Sequence, residues 1–301
     1  MRGSDGAPSR SRARIALLVG VLVFVGLKYL GTTSAWKLTH WLFSWELGFV
    51  KRGLVGTLLQ LFHPGGVVSS EAIVALSLVV VAGFLVALGA LAAPLFAERE
   101  RRRSLAIGLV ALLAPGVGYL LSDLGRFDVL NLLLCVLTLL AAQALGRFPY
   151  ALLLGVSGVA LLIHEAALLL CLPMLFVAYL EANGRLEALP DPRQWPRLAL
   201  LAAPAVVLFV ALAGFGFSDR PLPELVASLS ARADFAPSPR SAYVLLRPLR
   251  SNVAQVLGAE GAVPESGAAQ ALALGSVDML SFWLILAIAA LQQGFAHFAF
   301  A

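Results

Sequence analysis

Three groups of titratable side chains interrupt an otherwise apolar chain, in the stretches SWELGFVKRG (44–53), SDLGRFDVLN (122–131) and LLIHEAALLL (161–170). Their members are Glu46, Lys51, Arg52, Asp123, Arg126, Asp128, His164 and Glu165. Carboxylates and imidazoles can transfer protons, and guanidinium and ammonium groups bind phosphate. These residue types together suit a transfer reaction on a phosphate-bearing substrate.

The composition indicates an integral membrane protein. Hydrophobic residues make up 60% of the 301 residues and charged residues 13%, and the mean hydropathy is +0.89. Soluble domains are close to half apolar and a quarter charged. Because helices satisfy their own backbone groups in lipid, the sequence predicts an all-α, polytopic membrane protein.

Apolar stretches long enough to enter a bilayer recur along the chain. They cover 15–30, 72–96, 105–121, 129–145, 150–180, 198–217 and 279–300. The stretch 150–180 would be roughly 46 Å long as one helix, against a hydrocarbon core of about 30 Å. We predict two short helices meeting around His164 and Glu165, with one steeply tilted helix as the alternative. This gives about eight transmembrane helices, and the amphipathic stretch 41–62 is predicted to be a helix lying on the outer face.

The distribution of basic residues predicts the orientation. Short segments assigned to the inside carry 12 Lys and Arg, and short outside segments carry 4, so the N-terminus is expected in the cytoplasm. Residues 1–14 then form a basic cytoplasmic tail, and 15–301 form one polytopic domain with a long extracytoplasmic loop at 218–278. Cleavage of the first span as a signal peptide near Thr33 is the alternative. The last span ends with almost no polar flank, as is typical of a shortened chain.

In this topology the three groups converge on the outer side. One charge at membrane depth costs about 2.5–3.5 kcal/mol on insertion scales, so such residues tend to be paired or to face a polar cavity. Eight of them at one level predict a polar cavity just below the outer surface.

Each group also has a purely structural explanation. Lys51 and Arg52 can reach lipid headgroups, with Glu46 paired to one of them. Asp123 can cap a turn, and Asp128 can cap the helix that follows it. A single histidine such as His164 on an apolar helix is more often a packed, hydrogen-bonded residue than a ligand.

Several classes of site and partner are not expected. His40, His63 and His297 show no metal-ligand spacing with His164, so no metal is predicted. No nucleotide-binding loop is present in the sequence, and no cofactor is predicted. The net charge of +5 follows from topology, so nucleic acid is not an expected partner. Cys135 and Cys171 lie in apolar stretches and are expected to be buried thiols.

The predicted cavity suits glycosyl transfer from a polyprenyl-phosphate-linked sugar delivered in the membrane. Glu46, Asp123, Asp128, His164 and Glu165 are the candidate catalytic residues. Lys51, Arg52 and Arg126 are the candidates for binding the substrate phosphate.

The stretches FVKRGLVGTLL, DLGRFDVLNLLL and LLIHEAALLLCLPML resemble, in their order, the motifs of EpsG/Wzy-type polymerases of bacterial polysaccharide assembly. More loosely, the chain is similar to membrane glycosyltransferases of the GT-C class, in which acidic catalytic residues lie in the first extracytoplasmic loop, where Glu46 is placed. The resemblance implies a bacterial inner-membrane protein of cell-envelope polysaccharide biosynthesis, with a lipid-linked sugar substrate and glycan-assembly partner proteins.

Two other functions remain open at this point. A transporter or flippase of a lipid-linked or anionic substrate would explain charges within the membrane and the helix break at Pro115 and Gly116. A non-enzymatic accessory membrane protein would use the charges for pairing and anchoring.

Overall fold

A computed structural model describes residues 33–92, 124–185 and 191–248. Within these ranges the chain is helical and forms no strand, apart from an isolated bridge between Val68 and Ala233. The helices are α1 Ala35–Thr39, α2 Gly53–Phe62, α3 Ser70–Ala92, α4 Asp128–Leu145, α5 Tyr150–Ile163, α6 Ala167–Leu170, α7 Leu172–Ala182, α8 Trp195–Phe215, α9 Leu222–Ser230 and α10 Pro239–Tyr243. The predicted all-α class is confirmed for this part of the chain.

Three of these helices are long and apolar enough to cross a membrane: α3, α4 and α8. They correspond to the spans predicted at 72–96, 129–145 and 198–217. The tail at 1–14 and the spans predicted at 15–30, 105–121 and 279–300 lie outside the described residues, so the total of about eight stays a prediction.

Helices α3 and α4 run side by side in the same direction. Near their starts, Ile73 packs in one cluster with Phe127. Ten residues further along α3, a Cβ placed on Gly83 would lie 3.6 Å from Leu133 Cδ2 on α4. That distance is an ordinary van der Waals contact, so the two helices lie close together at Gly83.

The stretch 150–180 is broken at His164, as predicted. Helix α5 ends at Ile163, and His164 is extended with φ −159° and ψ 124°. The chain then continues through α6 and α7, and Asn183 Nδ2 at the end of α7 donates to the Phe148 carbonyl oxygen, 3.1 Å away, just before α5. Helix α5 on one side, and α6 with α7 on the other, therefore form a hairpin whose bend carries His164 and Glu165.

The amphipathic stretch 41–62 differs from the single helix that was predicted. Two turns of 3₁₀ helix, His40–Leu42 and Trp45–Leu47, precede α2. Gly48 and Arg52 have φ of 106° and 63°, values that stop a right-handed helix. Helix α2 buries Val55 and Gly56 and exposes the apolar side chains of Leu61 and Phe62.

One end of the helix bundle collects most of the polar groups, and we call it the polar end. Helices α3 and α4 begin there, and α5 and α8 end there. Segments 33–53 and 216–248 cover it and share an apolar cluster that includes Phe43, Val50 and Leu225. The described part of the long loop predicted at 218–278 is therefore folded onto the bundle. Cys135 and Cys171 are free and buried deeper between the helices.

Candidate functional site

An ion pair between Arg52 and Glu165 lies at the centre of the polar end. Arg52 Nε donates to Glu165 Oε1 at 3.1 Å and to Oε2 at 2.9 Å, and Nη2 also donates to Oε1. The side chains are 14% and 6% exposed. Glu165 lies in the bend after α5. Arg52 is the residue in the left-handed conformation that precedes α2. The fold thus joins two of the groups singled out in the sequence.

A second ion pair, Arg126–Asp128, lies nearer to the surface. Arg126 Nη2 is 3.0 Å from Asp128 Oδ2, and the side chains are 28% and 17% exposed. Arg126 also lies over the ring of Trp36, 5.7 Å from its centroid. No side-chain hydrogen bond caps the start of α4, so the cap role considered for Asp128 is not seen. These two side chains are more exposed than those of Arg52 and Glu165.

His164 lies beside Asp128, with His164 Nδ1 4.0 Å from Asp128 Oδ1. The backbone N–H of Ala166 donates to His164 Nδ1 at 3.1 Å. Because Nδ1 accepts, a neutral ring carries its hydrogen on Nε2. The nitrogen nearest to Asp128 is therefore an acceptor in a neutral ring, and the N–H lies on the other nitrogen.

His40 belongs to the same cluster, although nothing in the sequence singled it out. Arg52 Nη1 lies 3.3 Å from His40 Nε2, and the His40 ring meets Trp36 edge-on at 4.8 Å. Burial, and then the Arg52 guanidinium, lower the pKa of His40 well below its ordinary value. A neutral His40 accepts from Arg52 and helps to hold the guanidinium on Glu165. Its position in an aromatic stretch gave no spacing signal that could have revealed this contact.

Lys51 is buried behind the cluster. Its Nζ donates to the Arg247 carbonyl oxygen at 2.6 Å, and its backbone N–H donates to the Gly216 carbonyl oxygen at 3.2 Å. Burial lowers the pKa of Lys51 to about 8, with Glu165 opposing the shift and Arg52 adding to it. The Lys51 side chain is 1% exposed. Its predicted role in binding phosphate stays a prediction.

Lys51 should make the stability of the protein depend on pH. Its pKa of about 8 in the folded state lies below the ordinary 10.5, so unfolding takes up a proton between these values and stability rises with pH across this window. We expect wild type to gain about 2 kcal/mol relative to Lys51→Met between pH 7.5 and 10, measured by denaturant titration in micelles. Parallel pH profiles of the two proteins would contradict a lowered pKa.

Glu46 is not part of this cluster. Glu46 is exposed and accepts a hydrogen bond from Gln60 Nε2, and its backbone carbonyl oxygen accepts from Arg220 Nη2 at 2.9 Å. Asp123 lies outside the described residues. Their predicted catalytic roles stay predictions.

The structure thus brings together Arg52, Arg126, Asp128, His164 and Glu165, and adds His40. Within 33–92, 124–185 and 191–248, no group of three His, Cys, Asp or Glu side chains could hold a metal ion. The arrangement can bind an anion at Arg126 and accept a proton at Asp128.

No protein-family model, curated protein or solved structure matches this chain.

Proposed function

We propose that the protein is a membrane glycosyltransferase or polysaccharide polymerase that uses a polyprenyl-phosphate-linked sugar at the polar end, on the extracytoplasmic side of a bacterial inner membrane. The observation that carries the proposal is the partly exposed pair of Arg126 and Asp128, with His164 beside it, at the ends of apolar helices. A phosphate carried by a membrane lipid reaches this depth, and a guanidinium matches it in charge and geometry.

The proposed reaction is a displacement at C1 of the donor sugar. The bond from C1 to the phosphate oxygen breaks, and polyprenyl phosphate leaves with the electron pair. A hydroxyl oxygen of the acceptor forms the new bond to C1, and its proton passes to Asp128. Arg126 stabilises the charge on the leaving phosphate.

Donor binding and base activation are coupled in this scheme. In the structure Arg126 is paired with Asp128 Oδ2. A donor phosphate competes for the guanidinium, and the carboxylate oxygen that it releases can then accept the hydroxyl proton. His164 is buried beside Asp128, so in this scheme it supports that carboxylate and does not touch the phosphate.

Glu165 takes a positioning role in this proposal, although the sequence made it a candidate for catalysis. Both of its oxygens accept from Arg52, so it is poorly placed to take a proton from a substrate. The Arg52–Glu165 pair instead fixes the bend that presents His164.

Arg126→Ala should weaken the binding of undecaprenyl phosphate at least tenfold, since a hydrogen bond to a charged group contributes about 1.5–3 kcal/mol. Native mass spectrometry of the full chain, titrated with undecaprenyl phosphate, measures this. Arg197→Ala is the matched control, because Arg197 is exposed near the start of α8, away from the polar end. Equal binding by wild type and Arg126→Ala would contradict the proposal.

Transfer itself is tested with undecaprenyl phosphate carrying glucose, mannose or arabinose in turn, and an extract of bacterial membranes as the source of acceptors. Release of undecaprenyl phosphate that depends on the protein supports the proposal. Movement of the intact lipid-linked sugar across a liposome membrane without release would instead indicate a flippase. Binding with neither release nor movement would favour an accessory role.

A further inference from the structure

An open depression of about 480 Å³ lies beside Glu46, apart from the ion pairs. The residues that give it its chemistry are Trp45, Glu46, Phe49, Phe215, Asp219 and Arg220. Its volume falls within the range of about 300–1,000 Å³ that is typical of small-ligand sites. The proposed transfer chemistry does not use it.

The depression is preformed by two loops that hydrogen bonds hold together. Ser218 Oγ donates to the Leu47 carbonyl oxygen at 2.8 Å. Arg220 Nη2 donates to the Glu46 carbonyl oxygen at 2.9 Å. Since these bonds fix both walls, a ligand does not have to order them on binding.

The lining combines aromatic side chains with charged groups that can bind hydroxyls. Phe49 and Phe215 are 48% and 72% exposed. The carboxylates of Glu46 and Asp219 accept hydrogen bonds, and the Arg220 guanidinium donates them. Aromatic faces pack against apolar C–H surfaces, and a sugar ring presents such a surface on one face and hydroxyls around its edge.

The charge of the lining selects among possible ligands. Two carboxylates and one guanidinium leave one negative charge, counted over Glu46, Asp219 and Arg220. This disfavours a phosphate or an acidic sugar and permits an uncharged one. The depression therefore differs from the Arg126 site in the ligand that it suits.

We infer that this depression binds an uncharged saccharide, and, resting on the proposed function, that this saccharide is the acceptor glycan. The segment that contributes Glu46 and Phe49 continues directly into Arg52. The same short stretch therefore connects the saccharide site with the charged cluster. In this assignment, Glu46 binds hydroxyl groups of the acceptor.

Saturation-transfer NMR on the full chain in lipid nanodiscs tests this inference, with maltotriose and chitotriose as uncharged probes and trigalacturonate as the acidic one. We expect signal from at least one uncharged probe and much less from trigalacturonate. The double variant Glu46→Gln, Asp219→Asn should reduce the signal at least threefold, and so should Phe49→Ala. Glu71→Gln, at an exposed carboxylate on α3, is the control and should keep it.

Unchanged signal in both the double variant and Phe49→Ala would overturn the inference, as would no signal from either uncharged probe or a stronger signal from trigalacturonate. The depression would then be a surface that meets lipid headgroups. Arg126→Ala should keep the saccharide signal but lose the binding of undecaprenyl phosphate. This result would show that the two sites are separate. Transfer without saccharide binding would overturn this inference alone, whereas saccharide binding without transfer would overturn the proposed function and the identification of the ligand as an acceptor.

Discussion

Glu165→Ala is expected to lower the free energy of unfolding by about 3–5 kcal/mol, the cost of leaving one member of a buried ion pair without its partner. Arg52 is 14% exposed at its side chain, and within the described ranges its guanidinium is held by Glu165 and His40. Removal of the carboxylate leaves the positive charge beside a neutral imidazole that can accept one hydrogen bond but carries no charge. Equilibrium unfolding in mixed micelles, followed by circular dichroism, measures the loss.

The double variant Arg52→Met, Glu165→Met should recover most of that stability. Replacing both members of a buried pair by apolar side chains of similar size is often neutral or stabilising. Methionine is a fair match for arginine at position 52, because any residue with a Cβ bears the same strain at φ 63°. If the double variant were as unstable as Glu165→Ala, the loss would come from packing at the bend.

Local patterns in the sequence predicted the helical part of the fold. The spans α3, α4 and α8 are marked by long apolar runs, because lipid imposes a minimum length on a crossing helix. The bend at His164 followed from the same length argument, since 150–180 is too long for one crossing. These features depend on residues that are close together along the chain, so a single sequence was sufficient to predict them.

Local sequence patterns could not predict which distant segments are in contact. Arg52 and Glu165 are 113 residues apart, and the convergence of their groups on one side was predicted from topology alone, without partners. His40 joins them because the turn at His40–Leu42 and the left-handed Arg52 bring segment 33–53 back onto itself. The stretch 41–62 was predicted as one helix because its apolar pattern is amphipathic, and the pattern did not show that Gly48 and Arg52 would leave the helical conformation.

Those same turns separate Glu46 from the ion pairs. In a continuous helix, Glu46, Lys51 and Arg52 would lie within two turns of one another. In the structure they face three environments: the open depression, the buried carbonyl of Arg247 and the carboxylate of Glu165. One short stretch can therefore contribute to a saccharide site and to a charged cluster at once.

Asp128→Asn is expected to reduce the rate of glycosyl transfer by 10²- to 10⁴-fold, the range typical of losing a positioned general base. Asparagine keeps the shape of the side chain and can still contact Arg126, but it does not take up the hydroxyl proton. Binding of undecaprenyl phosphate should be equal or tighter in this variant, because Arg126 no longer has a carboxylate competing with the phosphate. A lower rate together with retained binding assigns Asp128 to the proton transfer and Arg126 to the phosphate.

The controls for Asp128→Asn separate chemistry from folding. Asp191→Asn removes a carboxylate that accepts from the Arg193 backbone N–H near the start of α8, and it should leave the transfer rate unchanged. Asp128→Glu keeps a carboxylate at a shifted position and should restore part of the rate lost in Asp128→Asn. If Asp128→Asn transferred sugar at the wild-type rate, the acceptor proton would have to leave through another carboxylate. Glu46 would be the first to test, because it is exposed in the depression that we assign to the acceptor.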